Sequence, residues 1–280
     1  MELRGAVALV HGGARELARL VVPVACAGCG AVDVRCCPAC AGPFVSGPHR
    51  VERAAPRLDR LDGVPPLPVW ALAPYAAEVR EVVVAWKDRG RVDLDGLLAP
   101  ALRRAARQVA GVVGEASGGR AVLVVAAPST AAARRARGRE HVAALAAGVA
   151  QGLLDAGVRA DVVRVLRRRG PGRDQVGLGA RARGRNLAAG VAVRPRALAR
   201  AGPAPAGAAL SRTGGAACLL VDDVVTTGAT LAASERALEA AGADVVAALV
   251  VAATPPPGSR REVSGPSSSP VYQGCDVGLA

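Results

Sequence analysis

Residues 221–230 read VDDVVTTGAT and follow directly on CLL at 218–220. Adjacent carboxylates are poor strand formers, and at the edge of a core they are costly unless something uses them. The run turns through Thr226, Thr227, Gly228, Ala229 and Thr230 into ATLAASERALEAAGA (229–243), read as a helix ending at Gly242. A strand, a tight turn and a helix N-terminus in that order make an anion site. The N–H groups of 226–230 are expected to converge on one concavity, where the helix dipole favours negative charge. Gly228 permits the turn and the close approach of a phosphate. The threonine hydroxyls add donors. Asp222 and Asp223 then face hydroxyls or a metal, so a sugar phosphate suits the whole stretch.

Outward from this stretch, strands and helices alternate. EVREVVVAWKDRG (78–90) and LDGLLAPALRRAARQVAGVV (94–113) read as helices, and another is expected from about Glu140 to Ala156. AVLVVAAP (121–128), DVVRVL (161–166), CLLVDD (218–223) and DVVAALVVAAT (244–254) read as strands. Short continuous apolar runs are the mark of strands buried on both faces. The alternation predicts an α/β fold with a parallel, doubly wound sheet. The expected organisation is a leading helix at 1–22, a cysteine-rich unit at 23–45, a Pro- and charge-rich linker at 46–66, the α/β domain at 67–254 and a disordered tail at 255–280. Residues 199–217, rich in Gly, Ala and Pro, read as an inserted loop.

Five of the seven cysteines fall in 23–45. CAGC (26–29) and CPAC (37–40) pair as C-x2-C…C-x2-C, and Cys26, Cys29, Cys37 and Cys40 form a tetrahedral thiolate set suited to zinc. Four thiolates leave no open position, so the metal's role is structural. Cys36 adjoins Cys37 as an alternate ligand, although the CPAC spacing favours Cys37. Disulfides are the competing reading. No stretch of 18 apolar residues occurs and no signal peptide is read, so a cytoplasmic, reducing location is expected, which argues against them.

The chain has 280 residues, with 51% hydrophobic and 2% aromatic, so its core must be built from Ala, Val and Leu. Formal net charge is +13, which suits anionic partners such as phosphates or nucleic acid. Lys87 is the one lysine, and enrichment in Ala, Gly and Arg also fits the coding bias of a GC-rich genome.

VDDVVTTGAT resembles the 5-phosphoribosyl 1-pyrophosphate (PRPP) motif of type I phosphoribosyltransferases. The resemblance implies that Asp222 and Asp223 bind the ribose hydroxyls, directly or through Mg²⁺, and that Thr226, Thr227, Gly228, Ala229 and Thr230 hold the 5-phosphate. A Pro followed by a four-Cys knuckle ahead of such a domain is similar to the ComF family, associated with DNA uptake in competence. VREVVVAWKDRGR around Lys87, VLVVAAPSTAAARRARGRE with Pro128, Arg137 and Gly138, and RDQVGLGARARGRNL with Gln175, Leu178, Arg183 and Asn186 resemble segments of that family. After Arg137-Gly138 the family usually has Phe-Asn-Gln, where this chain has Arg139-Glu140-His141.

Chemistry at the ribose anomeric carbon needs a positioned pyrophosphate leaving group and Mg²⁺, with the protein supplying electrostatics and geometry. Arg134, Arg135, Arg137 and Arg139 follow the strand at 121–128 and are candidates to neutralise pyrophosphate, Arg137 first. Residues 167–186 read as a flap carrying Gln175, Arg183 and Asn186. Lys87 offers a compact ammonium for a phosphate. Segment 67–90 is the candidate hood over the acceptor. Purine-salvage enzymes of this class carry an acid four residues after the first carboxylate; here that position is Thr226, and no motif side chain is expected to take a proton near neutral pH. His141 is expected on a helix surface. Three functions remain in competition: a PRPP-binding protein of ComF type linked to DNA uptake or handling, an active phosphoribosyltransferase of nucleotide metabolism, and a zinc-knuckle DNA-binding scaffold. The corresponding partners are PRPP, single-stranded DNA, a competence helicase and a second copy of the chain. No membrane partner is expected.

Overall fold

In the computed structural model, residues 24–60, 62–130, 133, 135, 137–168, 190–201 and 216–256 are described. The expected leading helix, the tail and the flap residues Gln175, Arg183 and Asn186 lie outside the described residues, as does Arg134.

The chain builds strands β1 (His49–Arg50) and β2 (Val69–Pro74), helices α1 (Ala77–Asp88) and α2 (Asp95–Ala116), and strand β3 (Val122–Ala126). Helix α3 (His141–Asp155), strands β4 (Ala160–Val163), β5 (Leu166–Arg168) and β6 (Val191–Val193), and helix α4 (Pro195–Ala201) follow. Strand β7 (Ala217–Val225), helix α5 (Ala229–Glu239) and strand β8 (Asp244–Ala253) complete it. Six strands form one sheet in the order β1-β2-β8-β7-β3-β4, parallel throughout except for the short β1. A separate antiparallel ribbon pairs β5 with β6.

The expected doubly wound α/β architecture is present, and β7 shows why its sequence reads as a continuous apolar run. Leu219 and Val221 pack on one face among Val82, Trp86, Leu98, Leu102 and Leu145, from helices α1 to α3. Cys218 and Leu220 pack on the other, with Leu231 and Leu238 of α5. A strand covered on both sides has no polar row to display. Helices α2 and α3 approach closely because Gly148 and Gly152 carry no side chain. A Cβ there would lie 2.5 Å from the Ala99 carbonyl oxygen and 2.2 Å from that of Arg103. This close contact fixes α3, and with it the placement of His141 at the helix's first position.

Four expectations need correction. The run 161–166 is not one strand: β4 pairs with β3 over Ala160–Val163, the chain leaves the sheet edge at Arg164, and β5 pairs with β6 instead. The strand expected at 218–223 continues to Val225, paired with Ala253 of β8, so both carboxylates sit inside it. Strand β2, not singled out in the sequence, is buried along Val69–Ala73 between β1 and β8. Finally, the stretch read as part of a linker is packed: Val51, Ala55 and Leu58 are buried against the α5 face of the sheet. Its prolines and charges suggested an exposed tether, but three apolar residues among them are enough to dock it.

The cysteine unit docks on α1. Arg91 donates to the carbonyl oxygens of Ala25 (2.9 Å) and Arg35 (3.0 Å) while paired with Asp93, so one guanidinium ties the unit to the body. Cys26 and Cys40 are buried in the same core cluster as Val79 and Val83 of α1. No described helix is long and apolar enough to cross a membrane.

Candidate functional site

The cleft opens at the C-terminal ends of β3 and β7, where ligands of open α/β sheets bind. It measures about 340 Å³. Its walls include Tyr75 after β2, Lys87 of α1, Pro128–Thr130 after β3, Arg137, His141, Arg168, and Asp222 and Asp223 of β7. A second hollow of about 180 Å³ adjoins it, shares Asp222, and is lined by Thr226–Leu231.

Gly228 caps α5 with φ +80°, a left-handed conformation natural to glycine. A Cβ there would also lie 2.7 Å from Leu58 Cγ and 3.2 Å from Ala55 Cβ. The Arg57 N–H donates to the Thr227 carbonyl oxygen at 2.9 Å. The packed segment around residues 55–58 therefore buttresses the loop from behind. Among the described residues no side chain caps the α5 N-terminus, and Thr226 and Thr227 are exposed. Arg168, at the end of β5, donates to the Pro128 carbonyl oxygen (3.1 Å) and to Thr230 Oγ1 (3.3 Å), bridging the loops after β3 and β7.

The opposite wall is more elaborate than expected. Successive strand residues point to opposite faces, so Asp222 and Asp223 part company. Asp223 is buried. Its Oδ2 accepts from Lys87 Nζ at 2.7 Å and meets His141 Nε2 at 2.6 Å, and its Oδ1 accepts the Val224 N–H at 2.7 Å. Asp222, partly buried, accepts the Asp223 N–H on Oδ1 and lines both hollows. Burial acts to raise the Asp223 carboxyl, but the His141 hydrogen bond and the Lys87 charge outweigh it and hold the carboxyl well below the usual carboxylate range. Burial, and then the Asp223 charge, push the Asp222 carboxyl up toward neutrality.

The place expected for His141 is corrected. It is 2% exposed, with its ring 5.0 Å from that of Trp86 in an edge contact, and it stands in the cleft wall rather than on a helix surface. The cue in the sequence was the apolar stretch it heads, VAALAAGVA, whose helix is packed on both α2 and the sheet. Arg139 is drawn away from the cleft: it pairs with Asp95 at 2.6 Å, donates to the Trp86 carbonyl oxygen and lies 5.6 Å over the Trp86 ring. Arg135 is exposed, and neither residue lines the cleft. Arg137 does line it while pairing with Asp88 at 2.9 Å, and Gly138 follows with φ +66°. In the sequence Arg168 falls at the start of the 167–186 stretch that reads as a flap, with no role of its own. Nothing local to residue 168 signals its place, because β5 reaches the cleft through the ribbon with β6.

The four cysteine sulfurs of Cys26, Cys29, Cys37 and Cys40 lie within 4.8 Å of one another, and Cys29 and Cys37 Sγ are 3.7 Å apart. A tetrahedron with Zn–S bonds of about 2.3 Å has edges of about 3.8 Å, so the set fits zinc. Cys36 stands outside it, its thiol pushed up to about 11 by burial and then by the neighbouring cysteines. For Cys26, burial opposes ionisation, but backbone N–H donors from Cys29, Cys37 and Gly28 prevail and lower the thiol to about 6, whereas burial pushes the Cys40 thiol up.

Residues 142–272 match the family model of the phosphoribosyl transferase domain. No curated protein matches the chain. The matched stretch contains Asp222, Asp223 and the 226–230 loop, whereas Lys87 and His141 precede it. The chain thus combines a stretch that matches the phosphoribosyl transferase domain model, a mostly parallel α/β sheet and a close cluster of four cysteines.

Proposed function

We propose that this chain binds PRPP with Mg²⁺ as a phosphoribosyltransferase-like protein of ComF type. The observation that carries the reading is the loop at 226–230, an uncapped helix N-terminus beside the partly buried carboxylate of Asp222. The 5-phosphate sits on Thr226–Thr230, as helix N-termini favour anions. Asp222 takes the ribose hydroxyls or a Mg²⁺ bound to them. The pyrophosphate lies in the larger cleft, toward Lys87, Pro128–Thr130 and Arg137. Zn²⁺ on the four cysteines has a structural role.

Transfer to a base or an amine is the further step this reading allows, with Asp222 as the carboxylate beside the ribose. The finer link, to DNA uptake or handling, rests on the knuckle-plus-domain arrangement and the arginine-rich segments. Any DNA contact would be to phosphates and steeply salt-dependent.

Thermal melting tests the reading. Saturating Mg²⁺–PRPP is expected to raise the melting temperature by several degrees, as a ligand at about 100 times its Kd contributes roughly 2.7 kcal/mol. No shift at millimolar PRPP would contradict it. Pyrophosphate release in the presence of candidate bases and amines then separates turnover from binding. A single-stranded DNA titration at low and physiological salt decides the DNA link, which fails if affinity is absent or flat with salt.

A further inference from the structure

The Asp223 carboxylate serves two nitrogen groups at once, one of them the Lys87 ammonium. Lys87 Nζ and His141 Nε2 both lie on Oδ2, at 2.7 and 2.6 Å, and Oδ1 is taken by the Val224 N–H. The two donors differ in freedom. His141 is 2% exposed, held by the Trp86 edge at the start of α3, and its Nδ1 has no hydrogen-bond partner among the described residues, so the ring's only polar anchor is Asp223. The Lys87 side chain is 29% exposed, sits at the end of α1 and lines the cleft on a flexible four-carbon stem. The neighbouring arginines are engaged elsewhere: Arg137 with Asp88, Arg139 with Asp95, and Arg168 with Pro128 and Thr230. Lys87 is thus the cation best placed to change partners. A carboxylate as buried as Asp223 tolerates the loss of a cation only if another donor stays.

We propose that Lys87 is handed from Asp223 to the diphosphate of an incoming ligand, and that His141 keeps Asp223 hydrogen-bonded while the lysine is away. The inference rests on reading the cleft as a sugar-diphosphate site. It makes Lys87 the ligand contact and His141 a positioning residue acting through Asp223. An amide at position 141 can donate to Asp223 as the imidazole can.

Lys87 is the chain's one lysine, so a full-length sample labelled at lysine gives a single side-chain NMR signal. With Mg²⁺ present, PRPP and inorganic pyrophosphate are expected to move that signal. Ribose 5-phosphate, which lacks the diphosphate, is expected to leave it in place. Lys87→Met should lower PRPP affinity tenfold or more while leaving ribose 5-phosphate affinity within threefold. In His141→Ala, pyrophosphate at the concentration that saturates the wild type should no longer move the lysine signal. His141→Gln should restore the movement, which also covers the case in which the alanine variant fails to fold.

PRPP bound by calorimetry with no movement of the lysine would overturn the handover and leave the PRPP reading standing. Movement with pyrophosphate but no binding of PRPP would support the handover and sink the sugar-phosphate reading. Movement by ribose 5-phosphate alone would assign the lysine to the other phosphate, and binding of neither ligand would overturn both. An unmoved signal in His141→Gln would remove His141 from the device.

Discussion

The two sides of the cleft were built by different means. The loop side is one contiguous stretch, Thr226 to Thr230, with Asp222 beside it, and its backbone conformation does the work. The wall side is assembled from Lys87 on α1, His141 on α3 and Asp223 on β7, three residues separated by most of the domain and joined through one carboxylate oxygen. The loop side needs a glycine and a free helix end. The wall side needs three helices and a sheet packed correctly. Damage to the loop should therefore abolish ligand binding with modest loss of stability, whereas damage to the wall should be felt in both.

The largest effect is expected at Gly228. Gly228→Val forces a β-branched residue into a left-handed backbone and against Leu58. PRPP affinity should fall at least 100-fold by calorimetry, with a stability loss of about 2 kcal/mol. Equal affinity in the variant would break the assignment of the loop as a phosphate site.

Metal removal comes next. Elemental analysis should find about one zinc per chain. Chelation should lower the melting temperature, and hydrogen exchange should rise first in α1, on which the cysteine unit docks, and only later in α5. If exchange rose equally in both, the knuckle would not be a support of the wall side.

The two carboxylates should respond in opposite directions. Asp223 has its folded-state carboxyl lowered, so it stabilises the fold above the unfolded pKa of about 3.9 and loses that contribution as pH falls through its folded value. Asp223→Asn is expected to cost roughly 2–3 kcal/mol at pH 7, because Lys87 and His141 lose their shared anchor. Asp222 has its folded-state carboxyl raised. The folded chain therefore holds its proton more tightly, and stability is lost as pH rises through the folded value. Asp222→Asn should thus raise the melting temperature at pH 8, by the equivalent of about 1 kcal/mol, while weakening ligand binding. Denaturant melts of both variants at pH 6 and pH 8 check the signs, and the same sign for both would collapse the distinction drawn here.

The smallest effect is expected at Arg91. Arg91→Ala removes two hydrogen bonds from the docked cysteine unit and should cost about 1 kcal/mol, with zinc retained.

The contrast between the sides also explains what could be read from the sequence. Thr226–Thr230 were legible because turn, glycine and helix start are local and contiguous. Cys26, Cys29, Cys37 and Cys40 were legible because metal spacing is local too. The sheet was legible because strands buried on both faces are short unbroken apolar runs. His141 was misread, since whether a histidine heading a helix faces water or a strand depends on how α3 packs on α2 through Gly148 and Gly152. Arg139 left its expected place and Arg168 took one for the same reason: Asp95 claims the first, and the β5–β6 ribbon delivers the second. The docking of Ala55 and Leu58 behind Gly228 was hidden among prolines and charges.

The most direct test is a calorimetric titration of Mg²⁺–PRPP into the wild type and into the variant carrying both Asp222→Asn and Asp223→Asn. Saturable 1:1 binding in the wild type, absent from a folded double variant, is the predicted result. No binding to the wild type, or equal binding to both proteins, would contradict the claim that these carboxylates and the loop beside them form a ribose-phosphate site.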